Sequence, residues 1–324
     1  MAKLSYREAV AAAMAQEMRL DDRVIFLGED VGAAGGVFKA TLGLFDEFGP
    51  TRVRDTPISE QAILGATMGA AMTGLRPIAE IMFSDFFGVC WDTVVNEIAK
   101  ARYMTNGDHE TPLVIRSANG GGARFGAQHS QSIENWAMAV PGIKVVAPSN
   151  AYDVKGLLAA SIRDPDPVLF FEQKAMYGNK CEVPEGELVI PLGEAATPRE
   201  GTDVTIVALA NMVPKSLKAA EILEKEHGIS CEVVDPRTLV PLDTKTILAS
   251  VEKTGRLVTV EENPRLCGWG AEIASIVGEE LFWNLDAPIT RITTPHIPLP
   301  SVDVLEDLVI PSVERIVDTI SKMD

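Results

Sequence analysis

Cysteine is scarce in this chain of 324 residues and poorly placed for cross-linking: Cys90, Cys181, Cys231 and Cys267 stand far apart with no C-x-x-C pair. That spacing suggests neither a zinc centre nor a disulfide framework and fits reduced thiols in a cytoplasm. Basic residues are also short, with 29 Lys and Arg against 46 Asp and Glu, a net charge of −17. A nucleic-acid surface needs concentrated cations and is therefore excluded. The acidic surface serves solubility first and a basic protein partner second. No apolar run is long enough to span a membrane, and the N-terminus shows neither a signal core nor an Arg/Ser-rich transit pattern. Repeats and low-complexity tracts are absent as well.

What is present is ordinary globular composition, 46% hydrophobic and 23% charged, in a chain long enough for two cores. Ser5-Tyr-Arg-Glu8 forms a capping-box pattern ahead of a helix over Ala9 to Met18. Short apolar runs at Val24–Leu27, Ile78–Phe83, Pro112–Arg116, Lys144–Ala147 and Val168–Phe171 have the character of buried parallel strands. Helical stretches such as Val89–Arg102 and Ala151–Ile162 separate them. A second alternation runs from Val204 to Ile292, and a terminal helix carries Val313, Ile316, Val317 and Ile320 on one face. The expected architecture is α/β: a domain over 1–178, a linker over 179–193, and a smaller α/β domain over 194–324.

One short segment places a carboxylate with care. In Asp55-Thr-Pro-Ile-Ser-Glu-Gln61, Thr56-Pro57 stops a strand expected over Thr51–Arg54 and Ser59 fits an N-cap. Glu60 then falls in the first turn of a helix built from Gly65, Ala66, Gly69, Ala70 and Ala71. An acid there also simply complements the helix dipole, so position alone assigns it no chemistry. The Gly120-Gly-Gly122 run lacks the G-K-[ST] ending of a phosphate loop and the spacing of G-x-G-x-x-G, and suits a loop that folds back on itself.

Six motifs stand in order: Gly28-Glu-Asp-Val-Gly32, Thr56-Pro-Ile-Ser-Glu60, Gly74-Leu-Arg-Pro-Ile-Ala-Glu-Ile81, Ala127-Gln-His-Ser-Gln131, Pro141-Gly-Ile-Lys-Val-Val146 and Ile162-Arg-Asp-Pro-Asp-Pro167. Their order and spacing resemble the β subunit of thiamine-diphosphate-dependent 2-oxo acid and acetoin dehydrogenases, with a transketolase-like pyrimidine-binding domain followed by a transketolase C-terminal-type domain. The resemblance implies that Glu60 holds N1′ of the cofactor's aminopyrimidine, driving the tautomer shift by which the 4′-imino group deprotonates the thiazolium C2. A carboxyl in a water-poor cleft is suited to sharing that proton. Phe86 matches the aromatic face of the pyrimidine slot. Ile58 and Met82 match other ring-contacting positions, Tyr103 follows a helix toward the same cleft, and Glu29 is a second acid behind it. Core packing explains Ile58 and Met82 about as well. His129, in Gln128-His-Ser-Gln131, is implied to move protons during acyl transfer to a lipoyl group.

The same resemblance exposes an absence. Thiamine enzymes bind the diphosphate through Mg²⁺ on a Gly-Asp-Gly motif, and no Gly-Asp-Gly occurs here. The implication is an α subunit carrying that half and its Mg²⁺, an α2β2 heterotetramer, and contacts with the lipoyl and subunit-binding domains of an acyltransferase core. A structural potassium ion would use Leu113, Ser161, Ile162, Asp164 and Asp166, the last replacing a common Asn. The segments Asp85–Asp92, Glu172–Gly178 and Thr294–Pro298 look more similar to acetoin-cleaving members, with pyruvate and branched-chain 2-oxo acids as competitors. Two rivals of other classes are a nicotinamide-dependent oxidoreductase, which the missing dinucleotide fingerprint opposes, and a non-catalytic assembly subunit, which the presence of Glu60, Phe86 and His129 opposes.

Overall fold

The structure is a computed structural model describing residues 1–323. Its first elements are β1 (Ala2–Ser5), α1 (Tyr6–Leu20), β2 (Val24–Gly28), α2 (Leu44–Arg52), β3 (Val53–Asp55), α3 (Glu60–Met72), β4 (Arg76–Phe83), α4 (Phe87–Asp92) and α5 (Ala101–Met104). There follow β5 (Val114–Asn119), α6 (Glu134–Met138), β6 (Lys144–Val146), α7 (Ala151–Arg163), β7 (Val168–Gln173) and β8 (Lys180–Val183). The remainder comprises β9 (Ala196–Arg199), β10 (Val204–Ala208), α8 (Met212–Ile222), β11 (Cys231–Asp235), β12 (Thr238–Val240), α9 (Thr244–Thr254), β13 (Leu257–Pro264), α10 (Trp269–Glu280), β14 (Thr290–Thr294), α11 (Asp303–Val309) and α12 (Val313–Ile320). The chain divides into two units, one of Met1–Asn119 with Trp136–Leu192, the other of Gly120–Asn135 with Gly193–Asp324.

In the first unit the strands run in the order β6-β7-β5-β4-β2-β3, all parallel. β5 and β7 are buried along their whole length, the pattern of strands covered on both faces. The capping box forms as the sequence predicts: Glu8 accepts the Ser5 N–H at 2.7 Å and the Ser5 hydroxyl accepts the Glu8 N–H. Behind it, Ala9, Ala13 and Met14 of α1 bury against Val154, Leu157 and Leu158 of α7 in one apolar cluster. β1 pairs antiparallel with β8, Ala2 opposite Val183, so part of the stretch 179–193 is strand.

Three local expectations change. Ser59 is extended at the head of α3 but its side chain makes no capping bond. The Thr51–Arg54 strand is shorter, because α2 continues through Pro50 to Arg52 across a break at Gly49. The single helix read over Val89–Arg102 is three pieces, α4, a π-helical turn over Thr93–Ile98, and α5.

The second unit has the strand order β14-β13-β10-β11-β9, parallel except for β9. Its core joins Ile206, Val233 and Val260 of the sheet to Val213 and Ala220 of α8 and to Ile316 and Ile320 of α12. No helix among the described residues is long and apolar enough to cross a membrane.

Candidate active site

In the first unit, neighbouring strands bring two acids together. β2 lies between β3 and β4, with Gly28 opposite both Asp55 and Glu80. Just past the ends of β2 and β3, the Thr56 N–H donates to the Gly28 carbonyl at 2.9 Å and the Gly32 N–H to Asp55 Oδ1 at 2.6 Å. These bonds clamp the loop carrying Glu29 to the segment that leads into Glu60. Glycine at 32 permits this approach: a Cβ there would stand 2.5 Å from the Asp55 carboxylate and make that side chain move. Glu60 opens α3 half-buried, and the buried Glu29 has its carboxyl pushed above the ordinary value by burial, then by the charges of Glu60 and Asp30. The Glu60 charge also reaches Cys90, whose buried thiol is pushed up to about 12, chiefly by desolvation. Sequence reading gave Cys90 no place near the site; only its residence on α4, which packs on α3, reveals it.

The ring-contacting candidates separate by exposure. Phe86, half-buried, follows β4 and packs edge-on against Phe83 at 5.4 Å, and Phe83 in turn meets Phe38. Met82 lines a cavity of about 10 Å³, the space of one water, whose other walls include Glu80, Arg116, Ser117 and Tyr177. Ile58 and Tyr103 lie on the surface, 83% and 87% exposed. The Thr56 hydroxyl is buried without a hydrogen-bond partner, immediately ahead of Ile58 to Glu60. A half-buried carboxyl with an orphaned hydroxyl a few residues ahead of it offers polar partners to a ligand, while Met82 and Phe86 lie at and just past the end of β4.

Beneath this lies an ionic cluster that the motif Gly74–Ile81 only hints at. Arg116, 1% exposed, donates to Glu172 at 2.6 and 2.9 Å and to Glu80 at 3.0 Å, and the Tyr177 hydroxyl donates to Glu172. Two carboxylates face one guanidinium, so burial raises Glu80 against the pull of Arg116. The five residues implied for potassium gather where α7 ends beside the start of β5. Arg76 donates to the Ile162 and Asp164 carbonyls, Lys144 to both Asp164 oxygens at 2.6 Å, and Arg102 to Asp166. The Leu113 and Ser161 carbonyls each accept a backbone N–H. Among the described residues no group of three or more His, Cys, Asp or Glu could hold a metal ion.

His129 belongs to the second unit. Its loop, Gly120 to Asn135, is closed at the neck by the Gly120 N–H donating to the Gln131 carbonyl at 3.0 Å. The Gly121 N–H and the Ser132 hydroxyl donate to Glu262, while the Asn263 amide donates to the Ser132 carbonyl and to the side chains of Glu134 and Asn135. His129 is half-buried on a turn in which its own N–H donates to the Gly126 carbonyl.

The two-unit fold agrees with the comparisons. The transketolase pyrimidine-binding domain family matches residues 2–180 and the transketolase C-terminal domain family residues 193–316. The acetoin:2,6-dichlorophenolindophenol oxidoreductase β subunit of Bacillus subtilis is 50% identical, over 97% of this chain and 95% of that one. The chain belongs to the β subunits of thiamine-diphosphate-dependent dehydrogenases. The 2-oxoisovalerate dehydrogenase β subunit of Bacillus subtilis is 48% identical over 92% of this β subunit and 91% of its own length. Among solved structures, an inactive β4 tetramer of a split-gene transketolase superposes with a TM-score of 0.80 at 25% identity, covering 98% of this β subunit and 97% of that chain. As a dehydrogenase β subunit, the protein works with an α subunit.

Proposed function

We propose that this β subunit holds and activates the aminopyrimidine of thiamine diphosphate through Glu60, in an enzyme that cleaves acetoin and reductively acylates a lipoyl group. The observation that supports this most is the closeness of Glu60 and Glu29 past the ends of β2 and β3, where one main-chain bond, Thr56 to Gly28, and the Asp55 carboxylate on the Gly32 N–H tie the two segments. Bound there, the cofactor would supply a nucleophilic carbon for breaking a C–C bond beside a carbonyl. Glu60 would share a proton with the ring nitrogen, and Glu29, its carboxyl pushed up by burial and by the charge of Glu60, would stand beside it. Phe86, backed by Phe83, and Met82 would orient the ring and exclude water, with Ile58 and Tyr103 closing over it from the surface. His129 would act at acyl transfer, when the lipoyl disulfide opens to one thioester and one thiol.

In this reading the α subunit supplies Mg²⁺ and the diphosphate site, and the assembly is α2β2 in the cytoplasm. The α3 face formed by Ala62, Gly65, Ala66 and Gly69 is exposed, and a Cβ at Gly65 or Gly69 would meet nothing, so another backbone can approach it closely. The acyltransferase's lipoyl and subunit-binding domains complete the complex. The potassium cluster already pairs its carboxylates with Lys144 and Arg102, so an ion there would bind mainly through carbonyl oxygens. A thermal shift specific to potassium over sodium tests it. A 2-oxo acid is the second reading for the substrate, favoured by the likeness to the 2-oxoisovalerate subunit.

The decisive experiment assembles the holoenzyme with Glu60→Gln and measures dichlorophenolindophenol reduction with acetoin, pyruvate and branched-chain 2-oxo acids. Turnover should fall about a thousandfold or more for every substrate while assembly persists. Near-normal turnover removes Glu60 from the mechanism, and the wild-type ranking of substrates decides between acetoin and the oxo acids.

A further inference from the structure

The His129 loop is gripped on one side by a single helix. The three acids of α11, at positions i, i+3 and i+4, converge on Arg124. Its guanidinium donates to Glu306 Oε2 at 2.7 Å and to Asp307 Oδ1 at 2.7 Å, with Asp303 Oδ1 at 3.3 Å. Glu306 is the centre of the grip. It is fully buried, and it also accepts the backbone N–H groups of Gly122 (3.0 Å) and Arg124 (3.3 Å). One carboxylate therefore fixes two amides and one side chain of the same loop.

The loop backbone bears the mark of that hold. Arg124 has φ +65°, a left-handed conformation that a residue with a Cβ rarely adopts without being held there. At Gly121 a Cβ would come within 2.7 Å of Leu299 and 2.8 Å of Ile310, so the loop lies directly against the second unit's apolar side chains. Five residues past Arg124 stands His129, and the intervening turn is closed by its own N–H.

The geometry points to Arg124 and Glu306 as positioning residues that set the conformation of the His129 loop for acyl transfer to the lipoyl acceptor. This deepens the role proposed above for His129 and rests on it. A loop on a polar stem exchanges among conformers unless its backbone donors are satisfied, and a catalytic group displaced by about 1 Å can lose on the order of a hundredfold in rate.

The test uses the holoenzyme assembled with its α subunit and compares Arg124→Gln, Arg124→Lys and His129→Ala. Two rates are read for each, dichlorophenolindophenol reduction and reductive acylation of lipoamide, together with hydrogen exchange of the amides over 120–135. Arg124→Gln should lower the lipoamide rate about tenfold more than the dye rate and speed exchange over 122–129 by about tenfold or more. Arg124→Lys keeps a donor for Glu306 but loses the fork to Asp307, and should recover part of both effects. Wild-type exchange in Arg124→Gln, or faster exchange with an unchanged ratio of the two rates, would overturn the proposal. Should His129→Ala leave that ratio unaltered, the histidine's own assignment fails and the positioning role for acyl transfer falls with it, whereas a changed ratio there beside a normal Arg124→Gln condemns the clasp alone.

Discussion

The two candidate catalytic groups are held by opposite means. Glu60 is placed mainly by regular structure: parallel strands β2 and β3 end side by side, one main-chain bond and the Asp55 carboxylate join their loops, and α3 begins at the acid itself. His129 is placed by side chains from far along the chain, with Glu262, Asn263 and Glu306 reaching back to a loop that has almost no regular structure of its own. A site built on strand ends depends little on any one side chain, whereas a loop pinned by buried carboxylates depends on a few of them heavily.

Substitutions can sharpen or break this contrast. Glu306→Leu should have the largest effect, costing about 3 kcal/mol in denaturant unfolding because it strips the partner from two amides and one of three acids from a guanidinium. A loss below about 1 kcal/mol would show that the loop does not rely on that carboxylate. Gly121→Ala should follow at about 2 kcal/mol, since the added methyl must displace Leu299 and Ile310. Thermal unfolding checks it, with faster amide exchange confined to the second unit.

In the first unit Gly32→Ala should cost only about 1 kcal/mol, the price of one hydrogen bond to an exposed carboxylate that can swing aside. Thermal unfolding measures that cost. A larger loss, or a collapse of amide protection across β2 and β3, would break the view that the strand ends are robust. The smallest effect belongs to Glu29→Gln and carries a sign. The folded carboxyl of Glu29 sits above its ordinary value of 4.5, so the native state holds a proton that the unfolded state releases, and stability falls as pH rises through that window. Removing the charge should therefore stabilise the chain slightly at neutral pH, with the gain vanishing below about pH 4.5. Melting temperatures of both forms across pH 4 to 8 measure it, and a constant difference would refute the cause given for the shift.

Local patterning made much of the fold legible. The Ser5–Glu8 capping box and the buried runs of β2, β4, β5 and β7 rest on interactions within a few residues or on burial of both sheet faces, which sequence records directly. Ser59 stands at the N-cap position but makes no side-chain bond, its backbone at φ −166° and ψ 83° being unlike that of the capping Ser5 at −75° and 160°, a tertiary detail that residue type does not specify. β8 was hidden in a polar, Gly- and Pro-containing stretch because its strand character comes from pairing with β1, almost the full first unit away along the chain. In the first unit Glu29, Glu60 and Phe86 were visible through their motifs while Cys90 looked like an ordinary helix residue, and in the second unit His129 was visible while Glu306 was not.

The sequence by itself determined the alternation of strands and helices, the acid at the head of α3, and the family motifs, because each is written in contiguous residues. Only the tertiary structure decided that the Gly120–Asn135 loop groups with the second unit although the first surrounds it in sequence. The reason is physical: Glu306 lies some 180 residues from the amides it satisfies, and a bond across that span leaves no periodicity or spacing to read.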